Sequence, residues 1–142
     1  MNRPRVLFLC TGNTARSQMA EALLRKHAGD RFEVHSAGLE PGEVHPYAVQ
    51  VMREVGVDIS QQRSKGLELY LGKTHFGYLI TVCSEAEQRC PTFPGLGSRL
   101  FWPFEDPAAF AGPEAEKLER FRTVRDQIDG RIRAWLEEMG QD

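Results

Sequence analysis

Residues 5–24 read RVLFLCTGNTARSQMAEALL: a short apolar run ending in a cysteine, a Gly-Asn turn, then an arginine, a serine and a segment with helical spacing. Arg5 to Cys10 is short and apolar enough to be a buried strand. From Ser17 to His27, Met19, Leu23 and Leu24 fall on one face with Glu21 and Arg25 elsewhere, which is the pattern of an amphipathic helix. A strand feeding a helix is the first half of a β-α-β unit.

The same alternation continues outward. FEVHSAG (32–38) alternates like a second strand and stops at Gly38, and YAVQVMREVG (47–56) is a helix with Pro46 in its first turn and Gly56 at its end. Phe76 to Cys83 is continuously apolar and β-branched, as in a central strand covered on both faces. A short last strand falls at Arg99 to Trp102, after which Pro103 and Pro107 confine the chain to a loop. From Pro113 to about Met139, Leu118, Phe121, Val124, Ile128, Ile132, Trp135 and Leu136 share one stripe of a long helix, so Trp135 and Phe121 belong to the core. Strands alternating with helices predict an α/β fold: one flavodoxin-like, three-layer domain over 1–142, with a four-stranded parallel sheet and helices on both faces. Ligands of such sheets bind at the carboxyl ends of the strands, and two of these strands end in cysteine, Cys10 and Cys83.

Composition narrows the partners. The 142 residues are 41% hydrophobic, enough for one core, and the net charge of −2 offers no footprint for duplex nucleic acid. No run of like charge suggests a membrane surface, and the apolar start is too short for a leader or a span, so a cytoplasmic chain is expected. Three cysteines suit a reducing compartment better than a disulfide framework. His27, His35, His45 and His75 show no ligand or triad spacing and read as surface or loop residues, so neither a metal nor another cofactor is expected.

The spacing C-x5-R-S between strand and helix has a direct chemical reading. Backbone N–H groups of Thr11, Gly12, Asn13, Thr14, Ala15, Arg16 and Ser17, curling into a helix N-terminus, form a nest for a tetrahedral oxyanion. Gly12 and Asn13 tolerate the positive φ such a curl demands. Arg16 can grip two anion oxygens with its planar fork, and Ser17 can donate to the Cys10 sulfur, leaving a thiolate at neutral pH. An ordinary buried thiol beside an ordinary turn is the plain alternative, but it leaves the coincidence of cysteine, Gly-Asn, arginine and serine unexplained. An oxygen leaving group needs an acid, for which Asp106 in FEDPA is the candidate; the rival is a chemically silent Asp-Pro turn.

CTGNTARSQMAE, SAG, VGVDIS, VCSEAEQRCP and FEDPA follow one another in the order and spacing of the thioredoxin-coupled arsenate reductases, which this chain resembles from Val6 to the last helix. Those enzymes share the low-molecular-weight tyrosine phosphatase fold. The resemblance implies arsenate as substrate, with phosphate or sulfate as mimics, and Cys10, Arg16 and Asp106 as catalytic residues. It further implies a relay in which Cys83 and then Cys90 take over the oxidation, thioredoxin regenerates the thiols, and the protein works as a monomer. Reduction of arsenate consumes two electrons, which thiols supply by ending as a disulfide. If Cys83 to Cys90 were one helix, their Cα atoms would be about 10 Å apart, beyond the roughly 7 Å a disulfide allows. A helix in the reduced protein is therefore expected to loop out on oxidation, with Pro91, Pro94, Gly95 and Gly97 as its exit.

Three departures bear on this. DPAAF places alanines at 108 and 109 where phosphatases of this fold carry aromatic side chains that pack on phosphotyrosine. Ala15 stands where relatives often carry a further cysteine. Relatives can hold a potassium ion with Asn13, Glu21, Ser36 and an aspartate near position 65, but this chain has Lys65, whose ammonium is expected to occupy or repel that cation. A small phosphatase and a non-catalytic oxyanion or redox sensor are the competing functions.

Overall fold

The computed structural model describes residues 3–90 and 96–140. Its elements, in chain order, are β1 (Arg5–Cys10), α1 (Arg16–Ala28), β2 (Glu33–Gly38), α2 (Pro46–Glu54), β3 (Tyr78–Thr81), α3 (Ser84–Arg89), β4 (Ser98–Phe101) and α4 (Glu114–Glu138), with single 3-10 turns at Leu67–Leu69 and Pro107–Ala109. The strands form one parallel sheet in the order β2-β1-β3-β4. Val6, Leu7, Phe8 and Leu9 of β1 are all fully buried, so successive side chains meet covered faces on both sides of the sheet. This is the α/β architecture read from the sequence.

The element ends show what sequence pattern leaves out. β3 is shorter than Phe76 to Cys83 because the chain turns at its end: the Val82 N–H still bonds to Leu9 O, but Cys83 already caps α3. Just past β4, the Trp102 N–H reaches Thr81 O at 2.8 Å and the Phe104 N–H reaches Val82 O at 3.2 Å, so the chain stays beside β3 on either side of Pro103, which has no N–H to give. α2 stops at Glu54, and Gly56 takes the left-handed φ of +80° just beyond it. His45, read as a surface or loop residue, caps that helix: its Nδ1 accepts the Tyr47 N–H at 3.0 Å, and its ring lies 4.8 Å from that of Phe121. His27, half-buried, reaches Asp129 at 2.6 Å and so ties α1 to α4, whereas His35 reaches Glu33 at 2.7 Å within β2 itself.

α4 buries the predicted stripe, Leu118 to Leu136, against α1 and α2. Arg125 is buried with it, its guanidinium donating to Val51 O at 2.9 Å and pairing with Glu54 at 3.0 Å. At the carboxyl end of the sheet Cys10 pairs in register with Gly38. A Cβ on Gly38 would sit 2.8 Å from Asn13 N and from Thr11 O, so the loop after β1 can lie on β2 only because residue 38 is glycine.

Candidate active site

The loop after Cys10 folds as it does because of one left-handed residue. Asn13 has φ +53°, and among the described non-glycine residues it alone is positive. Gly12, expected to share that role, does not adopt a positive φ; a Cβ there would press on Thr14 Cγ2 at 3.2 Å. The twist at Asn13 aims its backbone N–H at Cys10 Sγ, 3.1 Å away, and brings Ser17 Oγ to 2.8 Å on the other side. Cys10 is buried, with its sulfur held between these two contacts.

Above the sulfur opens a cleft of about 260 Å³, lined from the loop by Cys10, Thr11, Gly12, Thr14, Ala15 and Arg16. Across from them stand Asp106, Ala108 and Glu85. Asn13 and Ser17 lie beneath the loop, fully buried, with their side chains directed to each other and to Cys10 rather than into the cleft. Arg16 opens α1, donates to Phe104 O at 3.1 Å and holds Asp106 at 3.7 Å. Asp106 also accepts the Ala108 N–H at 3.0 Å, which fixes its carboxylate at the start of a 3-10 turn. A larger cleft, about 360 Å³, involves Arg5, Glu33, His35 and Lys73, but it draws on the first residues of β1 and β2 and contains no thiol.

Cys83 is buried at the N-cap of α3, its sulfur accepting the Ala86 N–H at 3.4 Å. Its Sγ also lies 3.4 Å from Thr11 Oγ1, so the loop that holds Cys10 touches the second sulfur directly. Cys90 closes the other end of α3 and is half-buried. The segment between them is helical, as expected; Pro91, Pro94 and Gly95 of the expected exit lie outside the described residues.

Glu85 was not foreseen. It places a second carboxylate at the rim of the cleft above Cys10, accepts the Thr11 hydroxyl at 3.2 Å, and is held by Arg89, which also reaches Glu40 at 2.7 Å. Nothing in the local sequence signals this, because the contact joins residues 74 positions apart. Among the described residues no three His, Cys, Asp or Glu side chains stand together as a metal site, and no helix is long and apolar enough to cross a membrane.

Burial pushes the Cys90 thiol up, with Glu87 adding to the rise and the Arg99 guanidinium opposing it. Alkylation of Cys90 in the reduced protein is therefore expected to accelerate about tenfold per pH unit from pH 7 upward, because only the thiolate reacts. Peptide mass spectrometry against time reads this; labelling already pH-independent at neutrality would contradict it.

The family model for low-molecular-weight phosphotyrosine protein phosphatases matches residues 5–142. An arsenate reductase of Halalkalibacterium halodurans is 43% identical over 137 residues, covering 96% of this chain and 98% of its own. The chain belongs to this family, among its arsenate reductases. Solved structures of this group superpose closely. An arsenate reductase in the phosphate-binding state gives a TM-score of 0.76 at 32% identity, over 95% of this chain and 98% of its own. A thioredoxin-dependent arsenate reductase of Corynebacterium glutamicum gives 0.72 at 33%, over 99% of this chain and 63% of its own. In this chain the rim residue after Asp106-Pro107 is Ala108, a methyl group that offers no stacking surface to an aryl ring.

Proposed function

We propose that the protein reduces arsenate to arsenite in the cytoplasm as a monomer, drawing electrons from thioredoxin through Cys10, Cys83 and Cys90. The observation that carries this reading is the approach of Cys83 to the Cys10 loop, with Sγ 3.4 Å from Thr11 Oγ1. Phosphoryl transfer needs one nucleophilic sulfur; a two-electron reduction needs a second one within reach of the first.

Arsenate settles in the nest of loop N–H groups from Thr11 to Arg16, and the Arg16 guanidinium meets two of its oxygens. The Cys10 thiolate attacks arsenic, an As–O bond breaks, and Asp106 protonates the departing oxygen so that it leaves as water. Cys83 then attacks Cys10 Sγ: the new S–S bond forms, the S–As bond breaks, and its electron pair stays on arsenic, which departs as arsenite. Cys90 attacks Cys83, the Cys10–Cys83 bond breaks and frees Cys10, and α3 loops out to bring the new Cys83–Cys90 bridge within disulfide range. The thioredoxin dithiol reduces that disulfide, and its own oxidation closes the balance.

Arsenate-dependent NADPH consumption in the presence of thioredoxin and thioredoxin reductase tests the proposal. Multiple turnovers are expected, with at most slow hydrolysis of p-nitrophenyl phosphate. Fast ester hydrolysis without arsenate-dependent NADPH oxidation would favour the phosphatase, and a single oxidation event without turnover would favour the sensor.

A further inference from the structure

The potassium ion that the resemblance implies does not fit this chain, because the Lys65 ammonium stands on two of the oxygens that would hold it, those of Glu21 and Ser36. Lys65 Nζ lies 3.4 Å from Glu21 Oε1, 3.5 Å from Ser36 Oγ and 3.0 Å from Arg63 O. Glu21 is buried on the inner side of α1, contrary to a reading that sets it apart from the apolar face, and a buried carboxylate requires a nearby cation. Arg25 meets its other oxygen at 2.7 Å.

From Glu21 a chain of hydrogen bonds leads to the sulfur, and its direction can be derived. The Asn13 side-chain oxygen accepts two N–H groups, the Lys65 backbone at 2.8 Å and Gln18 Nε2 at 2.9 Å. A backbone N–H can only donate, so the Asn13 amide has one orientation and its Nδ2 is the donor at the other end. That nitrogen donates to Ser36 Oγ at 3.0 Å and to Ser17 Oγ at 2.7 Å. Ser36, accepting from Asn13, spends its single proton on Glu21. Ser17, accepting from the same amide, has its proton left for Cys10 Sγ. If Cys10 instead donated to Ser17, the Ser17 proton would have no acceptor among the described contacts.

We propose that Lys65 is a built-in counter-ion for Glu21, and that the pair acts as a positioning device: through Ser36 and Asn13 it holds the Ser17 proton on the Cys10 sulfur without a bound alkali cation. This rests on the reading of Cys10 as the nucleophile, and on no other part of the proposed function. Neither Lys65 nor Glu21 touches the reacting atoms.

The test compares potassium chloride with choline chloride at equal ionic strength and reads alkylation of Cys10 by iodoacetamide, which needs no arsenate. The native chain is expected to react equally fast in both salts. Lys65→Asp, which sets two carboxylates side by side, is expected to react about tenfold more slowly in choline chloride, the size of effect that loss of one charge-assisted hydrogen bond brings. Potassium should restore its rate and raise its melting temperature. Lys65→Arg should keep the native rate, and Ser36→Ala, which cuts the chain below Glu21, should be slow in both salts. A native protein that speeds up with potassium, or a Lys65→Asp and a Ser36→Ala that both match the native rate in choline chloride, would overturn the inference. Absence of arsenate turnover with these alkylation results intact would instead remove the proposed reaction and leave the positioning role standing.

Discussion

Cys83→Ser is expected to stop arsenate reduction, lowering turnover at least about 1000-fold, equivalent to roughly 4 kcal/mol of barrier. The oxyanion nest, Arg16 and Asp106 are untouched by the change, so Cys10 still attacks arsenic, but a hydroxyl cannot accept the oxidation that would expel arsenite. The same variant should keep whatever slow phosphate-ester hydrolysis the native chain has, since that reaction ends at Cys10. Cys90→Ser separates the two later steps: one arsenite per protein is expected, followed by arrest with Cys10 linked to Cys83. Quenched-flow counting of arsenite per protein chain distinguishes these outcomes. Equal multiple turnover in Cys83→Ser and the native protein would place the redox chemistry elsewhere.

Arg16→Lys is expected to cost roughly 100- to 1000-fold in kcat/KM for arsenate, the range seen when one preorganised donor to a developing oxyanion is removed. Charge is conserved in this substitution, so the loss isolates geometry. The guanidinium of Arg16 is held in its plane by Phe104 O at 3.1 Å and Asp106 at 3.7 Å, and can still present two parallel N–H groups to the anion. An ammonium has three donors on one atom but no planar fork, so it cannot offer the anion two parallel N–H groups while keeping both of these partners. Asp106, losing its tether, should also be less well placed as proton donor. A Lys variant within about threefold of native kcat/KM would show that Arg16 acts only by charge.

Much of this was legible in the chain. The step from apolar run to Gly-Asn turn to helix located β1, the loop and α1 within a residue, because local periodicity and turn chemistry set that junction. The flavodoxin-like parallel sheet of four strands followed from the alternation of strands and helices, and the stripe of α4 from its spacing. What escaped is set by contacts between distant segments. Helical spacing set Glu21 apart from the apolar face of α1, yet it is buried, with Arg25 at 2.7 Å and Lys65, 44 positions on, at 3.4 Å as its counter-charges. Glu85 gained its place at the cleft through Thr11 and Arg89, and His45 became a helix cap packed on Phe121. Gly12 and Asn13 both tolerate the positive φ the loop needs, and of the two only Asn13 adopts it, in a loop that packs on Gly38 of β2. Local sequence rules rank residues by what they can do; tertiary neighbours decide which of them does it.

The relay itself is the central claim, and peptide mapping of disulfides by mass spectrometry, after a single exposure of reduced protein to arsenate without a reductant, tests it most directly. The account predicts a Cys83–Cys90 bridge with Cys10 returned to the thiol in the native chain, and a Cys10–Cys83 bridge in Cys90→Ser. Arsenite release without any bridge to Cys83, or a bridge joining Cys10 directly to Cys90, would contradict it.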